Sequence, residues 1–254
     1  MDLELDGKIV LVTGASRGLG RCIASRFVAE GCVVIGVGRS KDSPASETAK
    51  VLSKDGVAFY QCDVTERSQC QSLIELVVSR YGDIDVLVCN AGNSESAAPG
   101  EEAVSDWNKM LAVNLIGVSN MVSTATNSLK NNDGSIVCVS SICGLQPIPG
   151  APITYSSAKA ALNSYVRGSA RHLAENGIRI NGVAPGNLMF PGSVWARKQE
   201  VDPKLVSKML NSAVPMKRLG KPEEISDVVL FLSSVRASFI TGTIVPVDGG
   251  QVGA

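Results

Sequence analysis

Tyr155 and Lys159 stand four residues apart in ITYSSAKAALNSYVRGSARHLAENG, a run with the composition of a helix. At that spacing the two side chains share one helix face. An ammonium beside a phenol favours the phenolate, and would draw its pKa down from about 10 towards working pH. Tyr155 is therefore a candidate general acid or base. The same pair on a solvated face does no chemistry, so the surrounding elements must decide between the two.

Those elements alternate. The runs at 8–14, 32–38, 57–63, 84–90, 134–141, 178–184 and 243–249 are short, apolar and rich in β-branched residues, as in KIVLVTG and IDVLVCN. Strands covered on both faces have this length and continuous hydrophobicity. Helical patterns fill the gaps at 18–30, 43–54, 66–81, 104–130, 153–175 and 222–234. Strands separated by helices predict right-handed βαβ units and an α/β, doubly wound (Rossmann) seven-stranded parallel sheet with helices on both faces. No linker or repeat interrupts the pattern, so a single domain over 1–254 is expected. One connection breaks the alternation: 187–215 is long, carries Pro191, Pro203 and Pro215, and mixes aromatic with basic residues. Connections of this kind are commonly lids or binding loops.

Composition narrows the functions further. The chain has 254 residues, 44% hydrophobic, with 24 basic and 24 acidic residues and no net charge. Its basic residues are dispersed, so neither nucleic acid nor an anionic membrane is an expected partner. The start, MDLELDGK, lacks a basic segment followed by a long apolar run, and no later stretch reaches a membrane-spanning length, so a cytoplasmic protein is expected. Seven cysteines with no Cys-x-x-Cys pair fit buried thiols in a reducing compartment. The single histidine, His172, falls on the polar side of a helix; neither a metal site nor a Ser-His-Asp triad is expected.

In a parallel sheet, ligands bind beyond the carboxyl ends of the strands. The first strand ends in Thr13-Gly14-Ala15-Ser16-Arg17-Gly18-Leu19-Gly20, directly before a helix. Gly14 permits a tight turn, Gly18 lets backbone approach a pyrophosphate, and Gly20 allows helix to pack on strand. The spacing G-x-x-x-G-x-G differs from the commoner G-x-G-x-x-G fingerprint.

This turn, Asn90-Ala91-Gly92 after the fourth strand, a serine after the fifth, and Tyr155-x-x-x-Lys159 together resemble the short-chain dehydrogenase/reductase family, in its short, single-domain, 3-oxoacyl-carrier-protein reductase-like form. The resemblance runs along essentially the whole chain. It implies that Tyr155 is the catalytic acid/base, and that Lys159 lowers its pKa and holds the nicotinamide ribose. Asn114 would anchor a water and a proton path to that lysine. The resemblance also assigns Gly14, Ser16, Arg17, Gly18, Leu19 and Gly20 to the cofactor's pyrophosphate turn, Asp63 and Val64 to its adenine, and Asn90, Ala91 and Gly92 to its adenosine ribose and to bracing the sheet. Pro185, Gly186 and Leu188 would flank the nicotinamide, with the Leu188 backbone on its carboxamide. Many relatives carry threonine where this chain has Phe190, which puts a side-chain contact there in doubt and leaves Phe190 to Trp195 as a substrate wall or an apolar lid.

Two adjacent serines compete for the catalytic place. Family members follow theirs with S-x-x-G, which Ser141-Ile142-Cys143-Gly144 matches and Ser140 does not. Strand neighbours point to opposite sides, so only one of the two faces the site. The nucleotide is argued from charge. Gly38 stands where an acid would bind a ribose 2′-hydroxyl, and Arg17 and Arg39 suit a 2′-phosphate, so NADP is expected ahead of NAD. The expected activity is hydride transfer between the nicotinamide and a small-molecule carbonyl or secondary alcohol, without metal, in a homodimer or homotetramer. A non-catalytic NADP-binding regulator or scaffold is the alternative. Arg197, Lys198, Lys204 and Lys208 could attract a phosphate or carboxylate, whereas Met189, Phe190 and Trp195 suit an apolar substrate.

Overall fold

The apolar runs form the strands of one sheet. A computed structural model describes residues 2–39, 54–129 and 133–252. Within them, β1 (Ile9–Thr13), β2 (Val33–Gly38), β3 (Val57–Gln61), β4 (Val86–Cys89), β5 (Ser135–Val139), β6 (Arg179–Pro185) and β7 (Ile244–Val247) lie in the order β3-β2-β1-β4-β5-β6-β7. Every pairing is parallel. Register is held by alternation: Leu11, Ile35, Leu87 and Ile136 point to one face, and Val10, Val34, Val86 and Val137 to the other. A slip of one residue would exchange those two sets.

Both faces are covered. Helix α1 (Gly18–Ala29) and α8 (Pro222–Ser233) pack on one side, through Ile23, Phe27, Ile225 and Val229. On the other lie α2 (Arg67–Tyr81), α4 (Gly117–Leu129) and α5 (Ile153–Ala174), through Ile74, Met121 and Leu162. The helix expected at 43–54 falls outside the described residues except for Lys54. Strand order reverses between β1 and β4, and this opens a crevice at their carboxyl ends.

Two expectations need correction. The helix expected at 104–130 is not continuous: α3 (Val104–Leu111) passes into a π-helical turn at Ala112–Ile116 before α4 begins. The cause is Asn114, whose Nδ2 donates to the Met110 carbonyl at 3.1 Å and to the Asn93 carbonyl at 2.9 Å, while the Gly117 N–H reaches back five residues to Ala112. Such single turns are frequent at functional sites. The connection at 187–215 is largely helical rather than an irregular loop, with α6 (Val194–Val201) and α7 (Pro203–Ala213). Ser193 caps α6 by accepting from Ala196 N–H, and Asp202 caps α7 by accepting from Leu205 N–H, with Pro203 at the first helical position.

All seven cysteines are free thiols, five of them buried, and His172 is exposed on α5. Among the described residues no helix is long and apolar enough to cross a membrane.

Candidate active site

The glycine turn is braced from β4. A Cβ on Gly20 would stand 2.3 Å from both the Gly14 carbonyl oxygen and Asn90 Nδ2, so helix, turn and strand meet only because the residue is bare. Asn90 Nδ2 donates to the Thr13 carbonyl at 3.0 Å and to the Gly14 carbonyl at 3.3 Å. Thr13 Oγ1 accepts from the N–H groups of Asn90 and Ala91, both at 3.0 Å, and donates to the Val88 carbonyl. At the start of α1 there is no acidic side chain and no side-chain cap. The amides of Gly18, Leu19 and Gly20 thus begin α1 without a side-chain cap, a position that suits a pyrophosphate.

The end of β2 lies beside this turn. Ala15 N–H donates to the Val37 carbonyl at 3.1 Å, and Ser16 Oγ is 3.6 Å from the Cβ position of Gly38. Arg17 and Arg39 are exposed on the two segments, and among the described residues neither belongs to an ion pair. After β3 the Asp63 carboxylate is occupied locally: its Oδ1 accepts from Thr65 N–H and Oγ1. Val64 is buried, and its carbonyl accepts from Asn120 Nδ2.

From Asn90 the chain leads to the lysine. A Cβ on Gly92 would be 2.8 Å from Asn114 Oδ1 and 3.6 Å from Lys159 Nζ, which brings these two groups to one point. Asn114 is wholly buried and also accepts from Asn93 N–H at 3.3 Å. Lys159 is only 4% exposed, and its Nζ donates to the Val139 carbonyl at 2.8 Å. Burial pushes its pKa down from 10.5 to about 8, and the nearby thiols of Cys138 and Cys89 oppose the shift.

Tyr155 departs from the expected direction. Lys159 Nζ lies 5.9 Å from the centre of the tyrosine ring. Burial pushes the phenol up to about 12, and the Ser141 hydroxyl opposes this in part. Desolvation of the phenolate sets that direction. The two serines separate as alternation requires. Ser140 Oγ donates to Asn163 Oδ1 at 2.6 Å in the interior, whereas Ser141 Oγ lies towards Tyr155 and accepts from Cys143 N–H at 3.2 Å.

The lid springs from the end of β6. Gly186 N–H donates to the Val247 carbonyl, and a Cβ there would meet the Asp248 backbone at 2.8 Å. Leu188 pairs with Gly220 in an isolated parallel bridge, just beyond Pro185. Phe190 lays its ring against Gly18. Two of the lid cations have neighbours of their own. Arg197 pairs with Glu95 at 2.8 Å, and Lys198 lies 4.6 Å from the centre of the Trp195 ring. Lys204 and Lys208 line a shallow groove on α7.

Three contacts at the site involve residues that sequence reasoning passed over. Asn93 exchanges hydrogen bonds with Asn114, Ser96 Oγ lies 2.7 Å from Thr154 Oγ1 next to Tyr155, and Glu95 holds Arg197. Their one signal was position, directly after Asn90-Ala91-Gly92.

A parallel sheet that reverses at a glycine turn, with serine, tyrosine and lysine gathered beside that turn, defines the class of Rossmann-type oxidoreductases. The family model described as enoyl-(acyl carrier protein) reductase matches residues 14–251. The chain is 37% identical to 3-oxoacyl-acyl-carrier-protein reductase FabG of Thermotoga maritima, covering 98% of this chain and 100% of the relative. Glucose 1-dehydrogenase 2 of Bacillus subtilis is 33% identical, with 98% and 96% covered. Among solved structures, L-sorbose reductase from Gluconobacter frateurii, complexed with NADPH and L-sorbose, superposes with a TM-score of 0.89 at 28% identity over 100% of both chains. The chain belongs to the short-chain dehydrogenase/reductase family.

Two outcomes follow from this geometry. Ser140→Ala leaves Asn163 Oδ1 buried without its donor and should destabilise the fold by about 1–3 kcal/mol, whereas Ser141→Ala should cost less stability and more turnover. Urea unfolding and steady-state rates on both variants check this; an equal stability loss would contradict it. The second concerns pH. Folded Lys159 releases its proton near pH 8 and the unfolded chain near 10.5, so between those values the folded state binds fewer protons and gains stability as pH rises. Relative to Lys159→Met, wild type should gain on the order of 3 kcal/mol across that window and nothing below it. A flat difference between the two proteins in denaturant titrations from pH 7 to 10.5 would exclude a depressed lysine.

Proposed function

We propose that this protein is an NADP(H)-dependent oxidoreductase that interconverts a carbonyl and a secondary alcohol on a small molecule, of 3-oxoacyl or sugar-linked type. One observation carries the proposal. Contacts run without a gap from the anion cradle at Gly18 to Gly20, through Asn90 and Gly92, to Lys159 and Asn114, with Tyr155 and Ser141 alongside. The relatives support the reaction class: one is a 3-oxoacyl reductase, one a glucose dehydrogenase, and one a sorbose reductase held with NADPH.

A bound nicotinamide supplies or accepts the hydride. The chain's own residues handle charge and protons. As a carbonyl is reduced, negative charge gathers on its oxygen, and the Ser141 hydroxyl and the Tyr155 phenol are the donors placed to receive it. Tyr155, with its pKa pushed up, is held as the protonated acid and gives its proton to that oxygen. Lys159 is protonated below about pH 8; its ammonium favours the phenolate left behind and offers donors to a ribose. Asn114, locked in its π-helical turn, keeps the inner side of Lys159 polar and supports a water path for returning the proton. Arg17 and Arg39, which suit NADPH, favour reduction as the working direction.

For the nucleotide, Arg17 and Arg39 are the residues for a 2′-phosphate, and Gly38 offers no carboxylate to a 2′-hydroxyl. Ser16 and Leu19 would complete the pyrophosphate turn, Asp63 and Val64 would hold the adenine, and Pro185, Gly186 and Leu188 the nicotinamide.

Tyr155→Phe should lower turnover by about 10²–10⁴-fold while leaving cofactor affinity nearly unchanged; steady-state rates with a ketone panel, beside fluorescence titration of NADPH, measure both, and retained turnover sinks the acid/base role. Replacing Arg17 and Arg39 together by Ala should weaken NADPH binding by about 10–100-fold, the worth of charge-assisted hydrogen bonds, with little effect on NADH. Equal losses for the two nucleotides would remove the argument for NADP.

A further inference from the structure

The lid touches the glycine turn through one side chain. Gly18 opens α1 with φ of 57°, and a Cβ on it would stand 2.8 Å from Phe190 Cε2 and 3.3 Å from Cζ. The room left by the missing side chain is thus filled by the edge of a phenyl ring. The same glycine begins the helical turn whose amides would bind a pyrophosphate. A phenyl edge offers those amides no acceptor, so the ring occupies the approach without satisfying it.

Phe190 is also tied to the lid helix. Its N–H donates to Ser193 Oγ at 3.3 Å, and its carbonyl accepts from Ser193 N–H at 3.0 Å. The same Ser193 Oγ caps α6 by accepting from Ala196 N–H. On the other side the chain is anchored, since Met189 N–H donates to the Gly220 carbonyl and Leu188 bridges Gly220. A pivot is therefore placed between Met189 and Phe190. Beyond it α6 is lightly held: it has no fully buried residue, and its link across the cleft is the half-exposed Arg197–Glu95 pair, a contact of low worth in water.

We propose that Phe190 is a gating residue for the dinucleotide: its ring rests on Gly18 and must leave it for the pyrophosphate to bind, carrying α6 with it. This rests on the cofactor assignment above. It makes cofactor entry the signal that repositions the substrate lid, through a side chain that itself makes no polar contact.

The test is stopped-flow mixing with NADPH in a Trp107→Phe background, which leaves Trp195 on α6 as the one tryptophan. Expected for wild-type Phe190 is an association rate that saturates with NADPH concentration, with the Trp195 signal changing in the same phase. With the ring off Gly18 in roughly a tenth of molecules, Phe190→Ala should abolish the saturation and tighten NADPH binding about tenfold. Phe190→Leu should fall between the two. Rates that stay linear in wild type without a Trp195 change, or weaker binding in Phe190→Ala at an unaltered association rate, would show a static wall and overturn the gate. Failure of both NADPH and NADH to bind any of the proteins would instead remove the cofactor assignment, and the gate with it.

Discussion

Lys159 brings an ammonium into the interior, and the rest of the candidate site is arranged around holding it there. Its Nζ has the Val139 carbonyl as acceptor, and the polarisable thiols of Cys89 and Cys138 beneath it favour the charge. Burial still wins, which is why the pKa falls to about 8 rather than staying near 10.5. Asn114 approaches from the other side only because position 92 lacks a side chain, and β4 and β5 end side by side to bring the three together. The sheet register thus fixes the electrostatics of the site.

The π-helical turn at Ala112–Ile116 belongs to the same arrangement. One amide, Asn114 Nδ2, takes the Met110 and Asn93 carbonyls together, and so ties the long helical run to the loop after β4. That loop is in turn joined to the start of α5 through Ser96 and Thr154, and to the lid through Glu95 and Arg197. Lysine, tyrosine and lid are consequently connected through backbone that carries no catalytic group. The lid itself is assembled differently. Its two helices are held by local caps at Ser193 and Asp202, with little burial, so it can move without unfolding.

Much of the fold was legible in the chain order. The seven strands fall within a residue or two of the apolar runs, because continuous β-branched hydrophobicity is a local property. Ser141 was distinguishable from Ser140 by the S-x-x-G pattern it opens, and strand alternation, equally local, separates the two. The caps Ser193 and Asp202-Pro203 were also present in the sequence, but the prolines around them suggested a loop. The break in the 104–130 helix left little local trace, since the Asn93 carbonyl that Asn114 bonds lies 21 residues away in the chain.

By itself, then, the sequence determined the α/β alternation, the glycine turn before α1 and the shared helix face of Tyr155 and Lys159, all consequences of spacing along the chain. Only the tertiary structure decided the direction of the tyrosine's pKa, which depends on how much solvent the surrounding elements exclude. It also decided that Arg197 meets Glu95, 102 residues away, and that Phe190 covers Gly18. Each of these joins segments distant in the chain, and their approach is set by packing against the sheet rather than by any local preference.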